Sequence, residues 1–258
     1  MGRLLGMATR MGSFHEITVA RREWLTPGMV RLSFTGEDLS GFRSTGIGDE
    51  YVRLFFPDPV TGERVLPEID AEGRWTFPAE PERVRYSTYT VRHFDVEARE
   101  LHIDFVVHEG GMASEWAIAA QPGMSVVINS PRGLYAPPNG LSWQVLLADA
   151  TGLPAVGRLL AQTPAHVASH IVVELGSEAH AQSLPYHPLA EVTWIFGRGN
   201  GVAPSALDHA LPSIPLGAGV GYLWAGAEQK AARRIRNLAR RMPAFGEGRQ
   251  KVVAYWSA

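Results

Sequence analysis

Apolar residues in the first half of the chain come in short β-branched or aromatic runs. The runs are "HEITVARREWL" (15–25), "MVRLSFTG" (29–36), "EYVRLFFPD" (50–58), "VRYSTYTVRHFD" (84–95), "ELHIDFVVHE" (100–109) and "MSVVINSP" (124–131), punctuated by Gly, Pro and Asp. Six strands at this spacing predict an antiparallel Greek-key β-barrel over residues 1–140. One helix is expected there, "ASEWAIAA" (113–120), beginning after Gly110-Gly111 and stopping at Pro122-Gly123.

The rhythm then changes. "WQVLLADA" (143–150), "HIVVELG" (170–176), "VTWIF" (192–196), "GYLWAGA" (221–227) and "KVVAYW" (251–256) are compact apolar runs of the kind found in buried parallel strands. Helical patterns over 153–163 and 228–242 separate some of them, which predicts βαβ units and a parallel-sheet α/β domain over 141–258. The Pro- and Gly-rich join is "SPRGLYAPPNGLS" (130–142). In the last helix Ala231, Ile235, Leu238 and Met242 form one apolar stripe, with most arginines on the other faces. That is an amphipathic helix docked on a sheet, its basic side solvated.

Composition narrows the function classes. A formal net charge of -2 gives no general attraction to nucleic acid or to an anionic membrane. The absence of cysteine excludes disulfides and thiolate chemistry, so redox work would need a bound cofactor. "MGRLLGMATRMGSF" has no long apolar core and does not read as a signal peptide, and no run approaches the ~18 apolar residues of a membrane span. The expectation is a cytoplasmic protein without nucleic-acid or membrane partners.

Three segments carry candidate chemistry. In "RYSTYTVRHFD" (85–95) a strand would place Arg85, Ser87, Tyr89, Val91 and His93 on one face and Tyr86, Thr88, Thr90, Arg92 and Phe94 on the other. Tyrosine faces, hydroxyls and arginines together suit a flat ring with a phosphate tail. The same pattern fits an exposed structural strand. In "HEGGMASEWA" (108–117) a glycine pair and a helix start offer close backbone approach and free amides, with Ser114 as a cap or phosphate contact. A tight turn before a capped helix reads the same way. "LADATGLPAVGRLL" (147–160) ends a buried strand in small and hydroxyl residues but lacks G-x-G-x-x-G. His166 and His170 do not fall on a helix and are not expected to bind metal. Glu174 is expected to be exposed at a strand end, and Trp194, Trp224 and Trp256 to pack in the core.

A β-barrel followed by a parallel α/β domain is a common plan for flavin reductases. Taken together, "YTVRHFD" (89–95), "VVHEGGMASEWA" (106–117), "QPGMSVVINSPRG" (121–133), "LLADATGLPAVGRLL" (146–160), "VTWIFGRG" (192–199), "YLWAGAEQKAARRIR" (222–236) and "AYW" (254–256) resemble the siderophore-interacting protein family, FAD-dependent ferric-siderophore reductases of ferredoxin-reductase-like type. The resemblance implies an FAD-binding barrel, an NADPH- or NADH-binding α/β domain, and a ferric siderophore as substrate. A ferredoxin-like protein is an alternative electron donor. Tyr89 and Thr90 match the flavin-ring pair, with Thr90 near the reactive nitrogen, and Arg92 matches an arginine meeting the phosphate tail. Gly111, Ala113 and Ser114, with His108 and Met112 in the same run, match the diphosphate-binding helix start. Asp149, Thr151 and Pro154, and later Ala225, Gly226 and Glu228, match positions near the nicotinamide nucleotide. The chain departs from the family pattern at Ser87, where an arginine is usual and Arg85 would have to compensate. It also departs at Ala150, where a glutamate is usual, and after "YW", where a basic extension is common. Arg53, Arg132 and Arg249 are candidates for docking the iron chelate. A non-catalytic siderophore-binding module and a flavin reductase with another acceptor are the alternative readings.

Overall fold

The computed structural model describes residues 14–70 and 74–257. The stretch read as no signal peptide lies, apart from its last residue, outside them. The first half forms β1 (Phe14–Thr26), β2 (Met29–Thr35), β3 (Tyr51–Phe55), a small hairpin β4 (Glu68–Ile69) and β5 (Trp75–Thr76), then β6 (Tyr86–Thr90), β7 (His93–Asp95), β8 (Glu100–Val106), helix α1 (Met112–Ala119) and β9 (Ser125–Asn129). Seven of these strands make one antiparallel sheet, in the order β6-β3-β9-β1-β2-β8-β7. Its two edges, β6 and β7, are consecutive in the chain, so the sheet curls into a barrel.

The count of seven, where six strands are expected, has a local cause. Residues 84–95 do not make one strand. The Val91 amide donates to Glu50 O and the Arg92 amide to His102 O, so the chain leaves β3 for β8 at this point. The strict two-face alternation therefore ends at Thr90. Inside the barrel, Ile17, Leu32, Phe34, Leu54, Leu101, Ile103 and Phe105 are fully buried, and α1 closes one side with Ala113 and Ala117.

The second half comprises β10 (Leu141–Ala148), α2 (Leu153–Gln162), β11 (Ala168–Leu175), β12 (Ala190–Phe196), the short α3 (Leu207–Ala210), β13 (Val220–Glu228), α4 (Gln229–Ala239) and β14 (Gln250–Trp256). All five strands are parallel, in the order β12-β11-β10-β13-β14, with β10 and β13 meeting where the order reverses. This is a doubly wound sheet, and alternate residues of β10 show its two sides. Val145 and Leu147 pack with Ile235 and Ala231 of α4, whereas Leu146 and Ala148 pack with Val156 and Leu159 of α2.

The α2 side also receives the barrel. Met29 is buried in that core, with Leu25, Val106 and Tyr135 packed against it. Burying one side chain of Met29's size is worth about 1.5–3 kcal/mol. Polar contacts fix the orientation. Asp49 accepts from the Leu134 amide (2.7 Å), the Tyr135 amide (2.8 Å) and the Trp224 indole N–H (2.9 Å). Next to it, buried Glu50 pairs with Arg158 of α2 at 3.1 Å, and Arg158 also donates to Val91 O at 2.6 Å. Barrel and sheet are thus held in one relation by two adjacent carboxylates.

Candidate functional site

One cleft of about 820 Å³ opens along this junction, large among the ~300–1,000 Å³ typical of ligand pockets. Its barrel wall is β6, Tyr86 to Thr90, followed by Val106–His108 and the start of α1, Gly111–Ala113. Its sheet wall is the β10–α2 turn (Ala150, Thr151, Pro154), the end of β11 (Leu175, Gly176), His180, and the loop Asn200–Val202. Tyr255, Trp256 and Ser257 stand between the two walls. The cleft therefore sits at the carboxyl ends of parallel strands, where doubly wound sheets bind ligands.

On the barrel wall, Tyr89 lies against Phe105 with ring centroids 4.4 Å apart, and burial pushes its phenol pKa up. Thr90 Oγ1 is buried without a well-formed hydrogen bond, its nearest polar partner being the Tyr255 hydroxyl, which it meets only in a weak contact. A hydroxyl in that state is available to a ligand, because leaving it unpaired costs free energy. The first amides of α1 have no intrahelical acceptor and carry the positive end of the helix dipole. Gly111 precedes them, and a Cβ there would stand 2.1 Å from His108 Cε1. Ser114 does not reach out to a ligand. Its hydroxyl accepts from the His108 amide and donates to His108 O, both at 2.9 Å, and so staples the loop to the helix.

The sheet wall is organised by Asp149, which is fully buried. It accepts from the Thr151 amide (2.9 Å) and hydroxyl (2.5 Å), the Glu228 amide (2.9 Å) and the Trp256 indole (2.8 Å). Burial raises its pKa, and those four donors oppose the rise. The carboxylate thus ties together the ends of β10, β13 and β14 and pins Trp256 at the cleft. Glu228 caps α4, accepting from the Lys230 and Ala231 amides. Asn200, at φ 55°, accepts from the Ala150 amide and donates to Glu174 O.

The structure brings Ser87, Tyr89, Thr90, His108, Gly111, Met112, Ala113, Thr151 and Pro154 to one cleft. Arg85, Arg92, Ser114, Asp149, Ala225, Gly226 and Glu228 lie outside its lining. Arg85 sits in the field of Asp58. Arg92 packs against Gly157 of α2, 3.9 Å from Asp104, and its burial lowers its pKa. Arg53 lies over the rings of Trp75 (4.5 Å) and Tyr86 (5.9 Å), whereas Arg249 is at the opposite, amino end of β14. Glu174 is buried rather than exposed: Ala206 N–H donates to it at 2.8 Å and Gly199 packs on it. Trp224 is core, but Trp256 lines the cleft instead. His170 pairs with Glu191 at 3.2 Å, and no metal-holding group of side chains occurs among the described residues. Sequence reasoning missed His180, Asn200, Val202, Asp49 and Glu50. Only Asn200, in a Gly-Asn-Gly turn, carries a local signal.

An antiparallel barrel and a doubly wound sheet sharing one cleft define the class of flavin- and nicotinamide-dependent reductases. Residues 18–135 match the siderophore-interacting FAD-binding domain and residues 141–258 the siderophore-interacting protein domain. The chain belongs to the siderophore-interacting protein family. It is 31% identical to the NADPH-dependent ferric-chelate reductase of Escherichia coli, over 95% of this chain and 93% of that one. It is 25% identical to the ferric vibriobactin reductase ViuB of Vibrio cholerae, over 92% and 86%. The crystal structure of a siderophore utilization protein from T. fusca superposes with a TM-score of 0.85 at 36% identity, over 96% and 94%.

FAD fits the residues present. The buried Thr90 hydroxyl, the Tyr89 wall and the glycine-led start of α1 offer contacts for a ring and a diphosphate. The diphosphate would be held by backbone amides, since no lysine or arginine lines the cleft among the described residues.

Proposed function

We propose that the chain is a flavin-dependent ferric-siderophore reductase. It takes electrons from a reduced nicotinamide nucleotide and delivers them to an Fe(III)–siderophore, from which Fe(II) leaves. The observation that carries this reading is the single cleft shared by β6, α1 and the carboxyl ends of the sheet. A ligand on the barrel wall and a nucleotide on the sheet wall would meet there. The activities named for the relatives support the same reading.

FAD held by these residues would supply the conversion between a two-electron hydride donor and one-electron acceptors. The chain supplies placement. Tyr89 and Thr90 would hold the ring, and the Gly111–Ala113 backbone its linker. Thr151 and Pro154 would receive the nucleotide, with Trp256 held in place by Asp149. One nicotinamide thus reduces two ferric ions. Oxygen-rich chelators hold hard Fe(III) far more tightly than Fe(II), so reduction releases the metal. A nicotinamide donor would be supplied in the cytoplasm, which supports that location for the reaction. No helix among the described residues is long and apolar enough to cross a membrane.

The test is direct. The purified protein should be yellow, or become so with FAD, should bleach on adding a reduced nicotinamide nucleotide, and should regain colour with a ferric hydroxamate or catecholate. A protein that neither carries nor takes up FAD would rule the reading out. Bleaching by a reduced ferredoxin alone would move the donor to a protein partner.

A further inference from the structure

The charge pattern of the cleft bears on which nucleotide it takes. Asp104 is the one Asp, Glu, Lys or Arg in its lining among the described residues, alongside two histidines, His108 and His180. Asp104 is already neutralised by a two-pronged bond from Arg31 (2.6 and 2.8 Å), with Arg92 behind it. On the sheet side the deficit is larger. No lysine or arginine occurs from Leu159 to Gly197, whereas Glu174, Glu178 and Glu191 do.

In a doubly wound sheet the turn after the first strand takes the diphosphate, and the end of the second strand meets the ribose. Sites for the 2′-phosphorylated cofactor place an arginine there. Here the first strand is β10 and the second is β11. After β11 come Gly176, Ser177 and Glu178, then His180 packed against Gly28 of the β1–β2 turn. Ser177 is spent as a cap, accepting from the Ala179 amide. Glu174 is turned away toward Gly199 and Ala206. Arg198 is exposed and outside the cleft lining. A 2′-phosphate carries a charge of about -1.5 to -2 at neutral pH. Against this wall it would meet no lysine or arginine among the described residues that line the cleft, and burying an unpaired charge is unfavourable.

Resting on the reductase reading, we infer that this chain takes NADH in preference to NADPH. Among the described residues no lysine or arginine lines the cleft at the end of β11, and that makes the choice. The FAD-loaded protein is titrated by calorimetry at pH 8, where free imidazole is neutral, with NAD+ and NADP+ and separately with 5′-AMP and 2′,5′-ADP. The 2′-phosphate should weaken binding about tenfold or more in both pairs, and the two reduced nucleotides should bleach the flavin in the same order. Val202, exposed on the cleft wall beside Gly176, offers a gain-of-binding test. Val202→Arg should narrow the gap by tightening NADP+, while Arg198→Ala should leave the ratio unchanged. NADP+ binding as tightly as NAD+, or a ratio altered by Arg198→Ala, overturns the preference and leaves the reductase reading intact. If neither nucleotide binds or bleaches the flavin, the preference falls and the reductase reading stands only with a protein electron donor.

Discussion

Glu174 shows how a single residue acts here through position rather than contact with a ligand. Burial at the end of β11 raises its pKa above the ordinary glutamate value, and the Ser205 hydroxyl and the Ala206 amide only partly oppose this. The folded protein therefore holds this proton more tightly than the unfolded chain. The contribution to stability is fully present below the unfolded value, about pH 4. It is lost as pH rises through the higher folded value. Glu174→Gln cannot ionise and lacks that loss. Urea unfolding across a pH series should show the wild type losing stability relative to the variant from about pH 4 upward, then levelling off. A difference that stays flat with pH would contradict the raised pKa. Ser114 makes the same point without charge, since its hydroxyl orders the α1 start that the amides then present.

Among elements, the β10–α2 turn matters most. It lacks the three-glycine fingerprint, yet Gly152 still does one of that motif's jobs, which is close packing of the turn on its neighbour. A Cβ at Gly152 would lie 2.4 Å from Gly226 O of β13 and 3.0 Å from Ala148 Cβ. Neither neighbour is a flexible side-chain end, so the turn itself would have to move. Gly152→Ala should cost about 1–3 kcal/mol, seen as a lower denaturation midpoint at unchanged slope, and should weaken nucleotide binding because Thr151 and Pro154 move with it. An unchanged midpoint would show that the turn has slack. At the other end of the sheet, α4 behaves as its apolar stripe predicts. Ala231 and Ile235 are fully buried, Leu238 and Met242 pack at the edge of the same core, and Arg233 and Arg240 face solvent.

At the scale of the molecule, the cleft exists because two sheets are held at a fixed angle. The Glu50–Arg158 pair is central to that, with both charges almost fully withdrawn from water. A buried pair is weak evidence of net stabilisation, but removing one partner strands the other. Arg158→Met should therefore cost about 3–5 kcal/mol, and Glu50→Gln with Arg158→Met should recover part of that loss. Denaturant unfolding of the single and double variants measures both. Equal loss in both variants would show that the hydrogen bonds from Arg158 to Val91 O and Ser44, not the charge pair, hold the junction.

By itself the sequence determined what depends on near neighbours. Strand and helix runs follow from side-chain period, their ends from Gly and Pro, and the cleft segments at Tyr89–Thr90, His108–Ala113 and Thr151–Pro154 from local motif order. The tertiary structure alone decided which residues line the cleft and which hold its walls. It split residues 84–95 into two strands, turned Asp149 and Ser114 into braces, and buried Glu174. It joined Asp49 to Trp224 across 175 positions and Glu50 to Arg158 across 108. The reason is the range of the forces. Backbone preference and periodicity act over a few residues, whereas burial and charge pairing at a junction depend on how two independently patterned sheets come to pack.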